Sequence, residues 1–295
     1  MQILLHTAQW SKSEYELIDS GYGYKLERFG SNILMRPEPQ ALWSSDMSES
    51  EWESLCSARF ERKGRDGDSG NWSIKKGAKE QWTIRRAMTY GDLVLRLGLT
   101  SFKHVGVFAE QGSNWDFIQQ RVALAPGCKV LNMFAYTGAA SIAASLAGGE
   151  VTHLDSVKAV NVWARENAEL SSVNNIRFIT DDALTFAARE LRRGNSYSGI
   201  ILDPPAYGRG TDGQKWVLEE HIYEMLEMCE RLLSKESGSF LLLSLYSMGF
   251  SALLARTLVS QIFGENIEIE FSELYQSDRY GKNLPLGLSI RVVRK

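Results

Sequence analysis

Acidic residues stand where three short apolar runs stop: Asp155 closes EVTHLD, Asp181 and Asp182 follow IRFIT, and Asp203 follows SGIIL. A fourth run, KVLNM, passes through Phe134, Tyr136 and Thr137 into Gly138. Each can do specific chemistry. Glycine lets the chain turn tightly and a ligand approach the backbone. An acid at the end of the next strand, here Asp155, 17 residues beyond Gly138, can accept hydrogen bonds from both hydroxyls of a ribose. An acid after the third strand lies where an adenine amino group would reach. Asp203 leads into Pro204 and Pro205, which end the strand and stiffen its exit. Each feature also has a plain reading: turn glycine, surface acid, helix N-cap, strand terminator. Their order and spacing favour a nucleoside site. A pyrophosphate-bearing dinucleotide usually takes G-x-G-x-x-G, and this turn has a single glycine, so a cofactor without phosphate fits better.

The elements that must position these residues follow from the pattern. From Lys129 onward, apolar runs alternate with helical stretches, which predicts βαβ units around a largely parallel sheet. The predicted helices are 139–147, 157–170, 183–192, 216–233 and 250–263. The last two strands are joined only by YQSDRYGKNLP, too short for a crossover helix, so they pair antiparallel. The expected fold is α/β: a doubly wound, Rossmann-like, seven-stranded and mostly parallel sheet whose last strand is reversed, spanning 106–295. Residues 1–105 read as a small β-rich domain. In it, YELIDSGYGYKLERFGSNILMRP alternates like a hairpin or meander, with Gly21 and Gly23 at its turn. ERKGRDGDSGN reads as a loop, and 98–125 as a connector.

Composition narrows the class. A chain of 295 residues with 44% hydrophobic and 23% charged residues can bury a full core. No apolar run is long enough to span a membrane and the opening MQILLHTAQW is not a leader, which places the protein in the cytoplasm. Cys56, Cys128 and Cys229 are odd in number and far apart, suggesting neither disulfides nor a metal site. The net charge of −3 gives no global pull on nucleic acid. Residues 59–86, however, hold nine Lys/Arg against four Asp/Glu, a patch that reads equally as a solvated loop or as an RNA contact.

At NMFAYTGAAS, LDPPAYGRG, KNLPLGLSIR and the lead-in GVFAEQGSNWDFI, the sequence resembles the class I S-adenosylmethionine-dependent methyltransferases. More narrowly, it resembles the bacterial ribosomal-RNA large-subunit methyltransferases with F-x-Y-T-G and DPP motifs. The resemblance implies that Gln111 touches the cofactor and that Asn132, Phe134, Tyr136, Thr137 and Gly138 wrap its methionine part. It implies Asp155 at the ribose with Ser156 beside it, Asp182 at the adenine, and Asp203, Pro204, Pro205 and Tyr207 at methyl transfer. RNA, with ribosomal RNA first, is the implied partner. Two features shape the acceptor. Methylation at cytosine C5 needs a cysteine nucleophile, and Tyr246 stands where one would follow the fifth strand. Adenine N6 chemistry usually places an aromatic directly after the prolines; here Ala206 intervenes and Tyr207 follows, so Tyr207 either stacks on a base or packs. The PUA domain of some relatives is not expected, because the hairpin begins almost at once. A nitrogen or oxygen acceptor is the reading. The alternatives are a non-catalytic adaptor that binds RNA or protein, and a methyltransferase of proteins or small molecules.

Overall fold

The apolar runs of the second half become the central strands of one large sheet in a computed structural model, which describes residues 2–63, 69–246 and 251–295. In chain order the N-terminal elements are β1 (Leu4–Thr7), β2 (Tyr15–Gly21), β3 (Tyr24–Phe29), β4 (Asn32–Pro37), α1 (Glu49–Leu55), β5 (Ala58–Arg62), β6 (Gly70–Ile74), β7 (Gln81–Met88) and β8 (Gly91–Gly98). A 3-10 turn (Ala109–Gln111) leads into α2 (Gly112–Ala123) and then β9 (Lys129–Met133), α3 (Ala139–Leu146), β10 (Glu150–Asp155), α4 (Lys158–Leu170), β11 (Ile176–Thr180), α5 (Ala183–Arg192) and β12 (Gly199–Leu202). A small hairpin, β13 (Tyr207–Arg209) and β14 (Lys215–Val217), precedes α6 (Leu218–Leu232), β15 (Phe240–Leu245), α7 (Ala252–Phe263), β16 (Ile267–Ser277) and β17 (Asn283–Arg294).

The large sheet has the order β1-β16-β17-β15-β12-β9-β10-β11, and β17 alone runs against the rest. Alternate side chains of its central strands feed two cores. Val130, Ile201 and Leu242 face α2 and α3, whereas Leu131, Ile200, Leu241 and Leu243 face α5, α6 and α7. Both faces are covered, which is why these strands read as near-continuous apolar runs. The sheet has eight strands where the sequence predicts seven. The addition is β1, which pairs in parallel with Ser272–Tyr275 of β16 at the edge and is tied by His6 to Glu270 at 3.0 Å. Four residues of mixed burial carry no periodic signal that would announce it.

The predicted meander is β2-β3-β4, extended by β5 and β6 into a five-stranded sheet. Its turn is Tyr22–Gly23, both at positive φ. Buried Asp19 accepts from the Met47 N–H, the Trp52 indole and the Lys282 ammonium, fastening this sheet to the β16–β17 turn. The stretch predicted as a loop, 61–71, ends inside β5 and β6, and its residues 64–68 lie outside the described residues. Likewise 98–125 is more than a connector, since it contains α2. The β7–β8 hairpin lies against α4: Arg96 N–H donates to Asn167 Oδ1 at 2.8 Å and the Trp163 indole to Arg96 O at 2.8 Å. Among the described residues no helix is long and apolar enough to cross a membrane.

Candidate active site

The loop from β9 to α3 winds through alternate left-handed residues: Phe134 (φ 56°), Tyr136 (φ 48°) and Gly138 (φ 91°). For an aromatic residue that backbone costs roughly 1–3 kcal/mol and persists only where the surroundings enforce it. They do so here. The Ala135 N–H donates to Leu154 O at 3.1 Å and the Tyr136 N–H to Asp155 Oδ2 at 2.9 Å. The Thr137 hydroxyl donates to Gly106 O at 2.7 Å, and Asn167 holds the Thr137 carbonyl at 2.9 Å. The Phe134 ring sits 4.7 Å from Trp216 and the Tyr136 ring 5.6 Å from Phe108. At Gly138 a side chain would also meet Ala164 of α4 at 3.1 Å, so close helix packing is a second reason for glycine there.

The strand-end acids divide by what they already bind. Asp155 accepts two backbone N–H groups, from Tyr136 and Val157, each at 2.9 Å. Burial raises its carboxyl above the usual range despite those two bonds. Two of its roughly four lone-pair directions stay open. Asp182 is the N-cap of α5, its Oδ1 accepting the Thr185 N–H at 2.9 Å. Asp181 pairs with Arg189 at 2.5 Å and turns to structural use. Ser156 donates to the carbonyl of Arg209, which ties it to the β13–β14 hairpin. Asp203 is half-buried, and burial, with the Glu110 charge as a second cause, pushes its carboxyl up to about 7.

A cavity of about 500 Å³, partly open to solvent, lies outside the carboxyl ends of β9, β12 and β15. Of the predicted residues it gathers Gln111, Asn132, Phe134, Tyr136, Thr137, Gly138 and Asp203 on one wall system. Asp155, Ser156 and Asp182 do not line it; Ser156 and Asp182 meet the hairpin, at the Arg209 carbonyl and beside Gly210. Pro204 is buried, Pro205 is exposed, and Tyr207, 53% exposed on β13, does not line it. Sequence reasoning missed Asn114, Trp115, Trp216 and Ser244. The Gln111 side-chain oxygen accepts from Asn114 at 2.8 Å and from Ser244 at 3.2 Å, while Asn114 Oδ1 accepts from Ser289 and Arg291. Asn132 donates to Ser141, which meets His153, and burial lowers that imidazole to about 3, so it is neutral. Trp216 donates to the Pro205 carbonyl at 2.7 Å and so anchors the acid–Pro–Pro exit. None of these four residues carries a local spacing signal; only the fold brings them together.

This cavity pairs apolar walls with a few convergent polar groups, as small-ligand sites do. A family model described as S-adenosylmethionine-dependent methyltransferase matches residues 60–262. The chain belongs to the S-adenosylmethionine-dependent methyltransferases. The structure of a methyltransferase of this dependence from Agrobacterium tumefaciens superposes with a TM-score of 0.89 at 35% identity, covering 100% of this chain and 94% of that one. A second solved structure, from Streptococcus mutans, covers 96% of this chain and 76% of that one with a TM-score of 0.73; at 16% identity it speaks to the fold. Among curated proteins, the ribosomal RNA large subunit methyltransferase K/L of Pseudoalteromonas atlantica is 35% identical over 114 residues, 38% of this chain and 15% of that protein. Its counterpart from Legionella pneumophila is 26% identical over 208 residues, 67% of this chain and 28% of that protein. The chain thus spans less than a third of the length of these curated relatives.

In this family the cofactor is S-adenosylmethionine, and the residues present suit it: the apolar floor of Trp115 and Ile118, the polar Gln111 and Asn132, and the open lone pairs of Asp155 beside the loop. The methyltransferase has no thiol at its sheet tips. Cys229 is fully buried in α6, Cys56 is in the N-terminal core, and Cys128 precedes β9, at the opposite end of that strand; burial raises all three thiols. Among the described residues no cluster of His, Cys, Asp and Glu is arranged to hold a metal ion.

Proposed function

We propose that this methyltransferase acts on RNA, with large-subunit ribosomal RNA as the first candidate, at a nitrogen or oxygen acceptor, and that it works in the cytoplasm. The observation that carries the reading is the likeness to curated relatives whose name is ribosomal RNA large subunit methyltransferase. The acceptor atom is argued from the cysteines: without a thiolate near Asp203, activation of a ring carbon has no nucleophile. Exposed Arg62, Lys63, Lys76 and Lys79 support an RNA-facing surface on the N-terminal sheet. Arg86 of the same segment does not, since it is buried and bidentate to Asp116 at 2.7 and 2.8 Å.

When bound, S-adenosylmethionine supplies an electrophilic methyl on a sulfonium. In this reading Asn132 through Gly138 hold its amino-acid end, Asp155 takes the ribose hydroxyls with Ser156 beside it, and Asp182 faces the adenine. Asp203, fixed by Pro204 and Pro205, faces the transferring methyl, and Tyr207 offers an exposed ring for a base to stack on. Rigid positioning is the main rate contribution available to an in-line displacement. The test is incubation of the purified protein with labelled S-adenosylmethionine and separated 23S, 16S and transfer RNA from a strain lacking the gene. Label in 23S RNA at a nitrogen or oxygen is the expected result; label confined to protein or small molecules refutes the RNA assignment.

A further inference from the structure

Gln111 is the polar side chain that the Ala109–Gln111 turn gives to the cofactor cavity. Glu110 of the same turn faces the other way, into a second cavity between the N-terminal sheet and the tips of the large one, where Lys25 already pairs with Glu27 and Glu38. An amide can present its oxygen or its two N–H groups, and which one Gln111 presents decides what it can bind. A chain of buried groups behind it makes that choice. Arg291, 8% exposed, is held through Nη1 by Glu270 of β16 at 2.8 Å and lies over the Phe117 ring at 4.8 Å. Its Nη2 donates to Asn114 at 3.0 Å and to the Ser113 carbonyl at 3.1 Å. A guanidinium has donors only, so the Asn114 atom it meets is the oxygen, which also accepts from the Ser289 hydroxyl at 2.8 Å. The NH₂ of this fully buried asparagine therefore points the opposite way, to Gln111 at 2.8 Å and to the Ser244 hydroxyl at 3.3 Å. It too can only donate, so the Gln111 atom it meets is again the oxygen, and Ser244 donates to that same oxygen at 3.2 Å. With its oxygen turned back twice, Gln111 has its NH₂ left for the cavity, where no acceptor among the described residues meets it.

We propose that Asn114, oriented by Arg291, is a positioning residue for the cofactor: it locks the Gln111 amide so that its N–H donors face the carboxylate of the S-adenosylmethionine amino-acid end. The inference rests on the reading above that Asn132 through Gly138, which line the same cavity as Gln111, hold that end. A carboxylate only accepts, and a hydrogen bond to a charged oxygen is about twice as strong as one between neutral groups. Among the described residues the cavity lining has no Lys or Arg, so a carboxylate there depends on neutral N–H donors. Were the amide reversed, its oxygen would face the carboxylate oxygens and repel them. The Glu270–Arg291 pair thus carries its polarity through Asn114 to the cofactor, across three side chains that have no acceptor-for-donor exchange open to them.

The experiment compares, by isothermal titration calorimetry without RNA, the affinities for S-adenosylmethionine and for its decarboxylated form, which lacks only that carboxylate. The wild type should prefer S-adenosylmethionine about tenfold or more. Gln111→Leu should weaken S-adenosylmethionine about ten- to a hundredfold, the worth of a hydrogen bond to a charged group, and leave the decarboxylated form within about threefold. Asn114→Asp gives Gln111 a neighbour that cannot donate, so the amide turns its NH₂ inward and its oxygen to the cavity; the loss should be of the same order and equally selective. The new carboxylate also carries a charge, and two further variants separate the causes. Asn114→Leu adds no charge and should lose about three- to tenfold, because Gln111 is then free rather than reversed. In the double variant, Asn114→Asp should add less than about threefold to the effect of Gln111→Leu. Retained binding of the decarboxylated form shows that each variant is folded. No preference in the wild type refutes the placement of the amino-acid end in this cavity, and the proposal with it. A preference that Gln111→Leu abolishes but both Asn114 variants leave within twofold of wild type overturns the positioning role alone. Equal loss of both ligands in Gln111→Leu, or full additivity in the double variant, overturns it as well.

Discussion

Asp155→Asn separates a ligand-holding acid from a structural one. In the native protein both oxygens of Asp155 are engaged, one by the Tyr136 N–H and one by the Val157 N–H, at 2.9 Å each. An asparagine can accept only one of these and must point its NH₂ at the other donor. An N–H left unpaired in a buried setting costs about 1–3 kcal/mol. If the orphan is Tyr136, the loss falls on a residue at φ 48°, whose strain of roughly 1–3 kcal/mol that bond helps to hold. A ribose hydroxyl bonded to a carboxylate contributes about 1.5–3 kcal/mol, so its loss alone weakens S-adenosylhomocysteine binding about ten- to a hundredfold. Isothermal titration calorimetry at pH 8 measures it. Asp181→Asn is the internal control. It removes an acid at the next strand end whose partner is Arg189, and a partly exposed ion pair contributes only about 0.2–1 kcal/mol. Its cofactor affinity should stay within twofold. A folded Asp155→Asn protein binding within threefold of wild type would refute the idea that the β10 tip holds the ribose.

Three further outcomes are expected. Asp203 and Glu110 both have folded carboxyls near 7, above their values of 3.8 and 4.5 when unfolded, so the folded state binds more protons between those limits. Stability without ligand should be highest below about pH 4 as far as these two groups decide it, and fall as pH rises through about 7; melting temperatures across that range should show a shallower fall in Asp203→Asn. Trp216→Phe removes the 2.7 Å bond to the Pro205 carbonyl while keeping a ring near Phe134, and should cost about 1 kcal/mol in urea unfolding but more than that in turnover, because the exit of β12 loosens. Gly138→Ala places a methyl 3.1 Å from Ala164 at φ 91°, and thermal melting should reveal a loss of about 1–2 kcal/mol.

What the sequence made legible follows from how locally each feature is encoded. The strands β9, β10, β12 and β15 are buried on both faces, so each announces itself as an apolar run, and α5, with Asp182 at its cap, lies where the pattern predicts, at 183–192. The reversed β17 follows from a connection too short for a helix. β1 was invisible because an edge strand of four residues needs no distinctive side chains once a neighbour supplies the hydrogen bonds. The β13–β14 hairpin was hidden by its polar composition, GRGTDGQK, which reads as loop. The site divides in the same way.

Residues on consecutive strand tips could be listed from the sequence, since in a doubly wound sheet chain order fixes which tips are neighbours. Residues that reach the site from another layer could not. Ser244 shares Gln111 with Asn114 across 130 or more positions, and Trp216 joins Phe134 only because a hairpin folds back over β12. Glu110 is the sharpest instance. In sequence it is one more acid beside a glutamine in a connector, but the turn Ala109–Gln111 points successive side chains into two different cavities. That division gives one short segment a polar side chain, Gln111, on one cavity and a buried carboxyl, Glu110, on the other, with their separation set by the backbone of three residues.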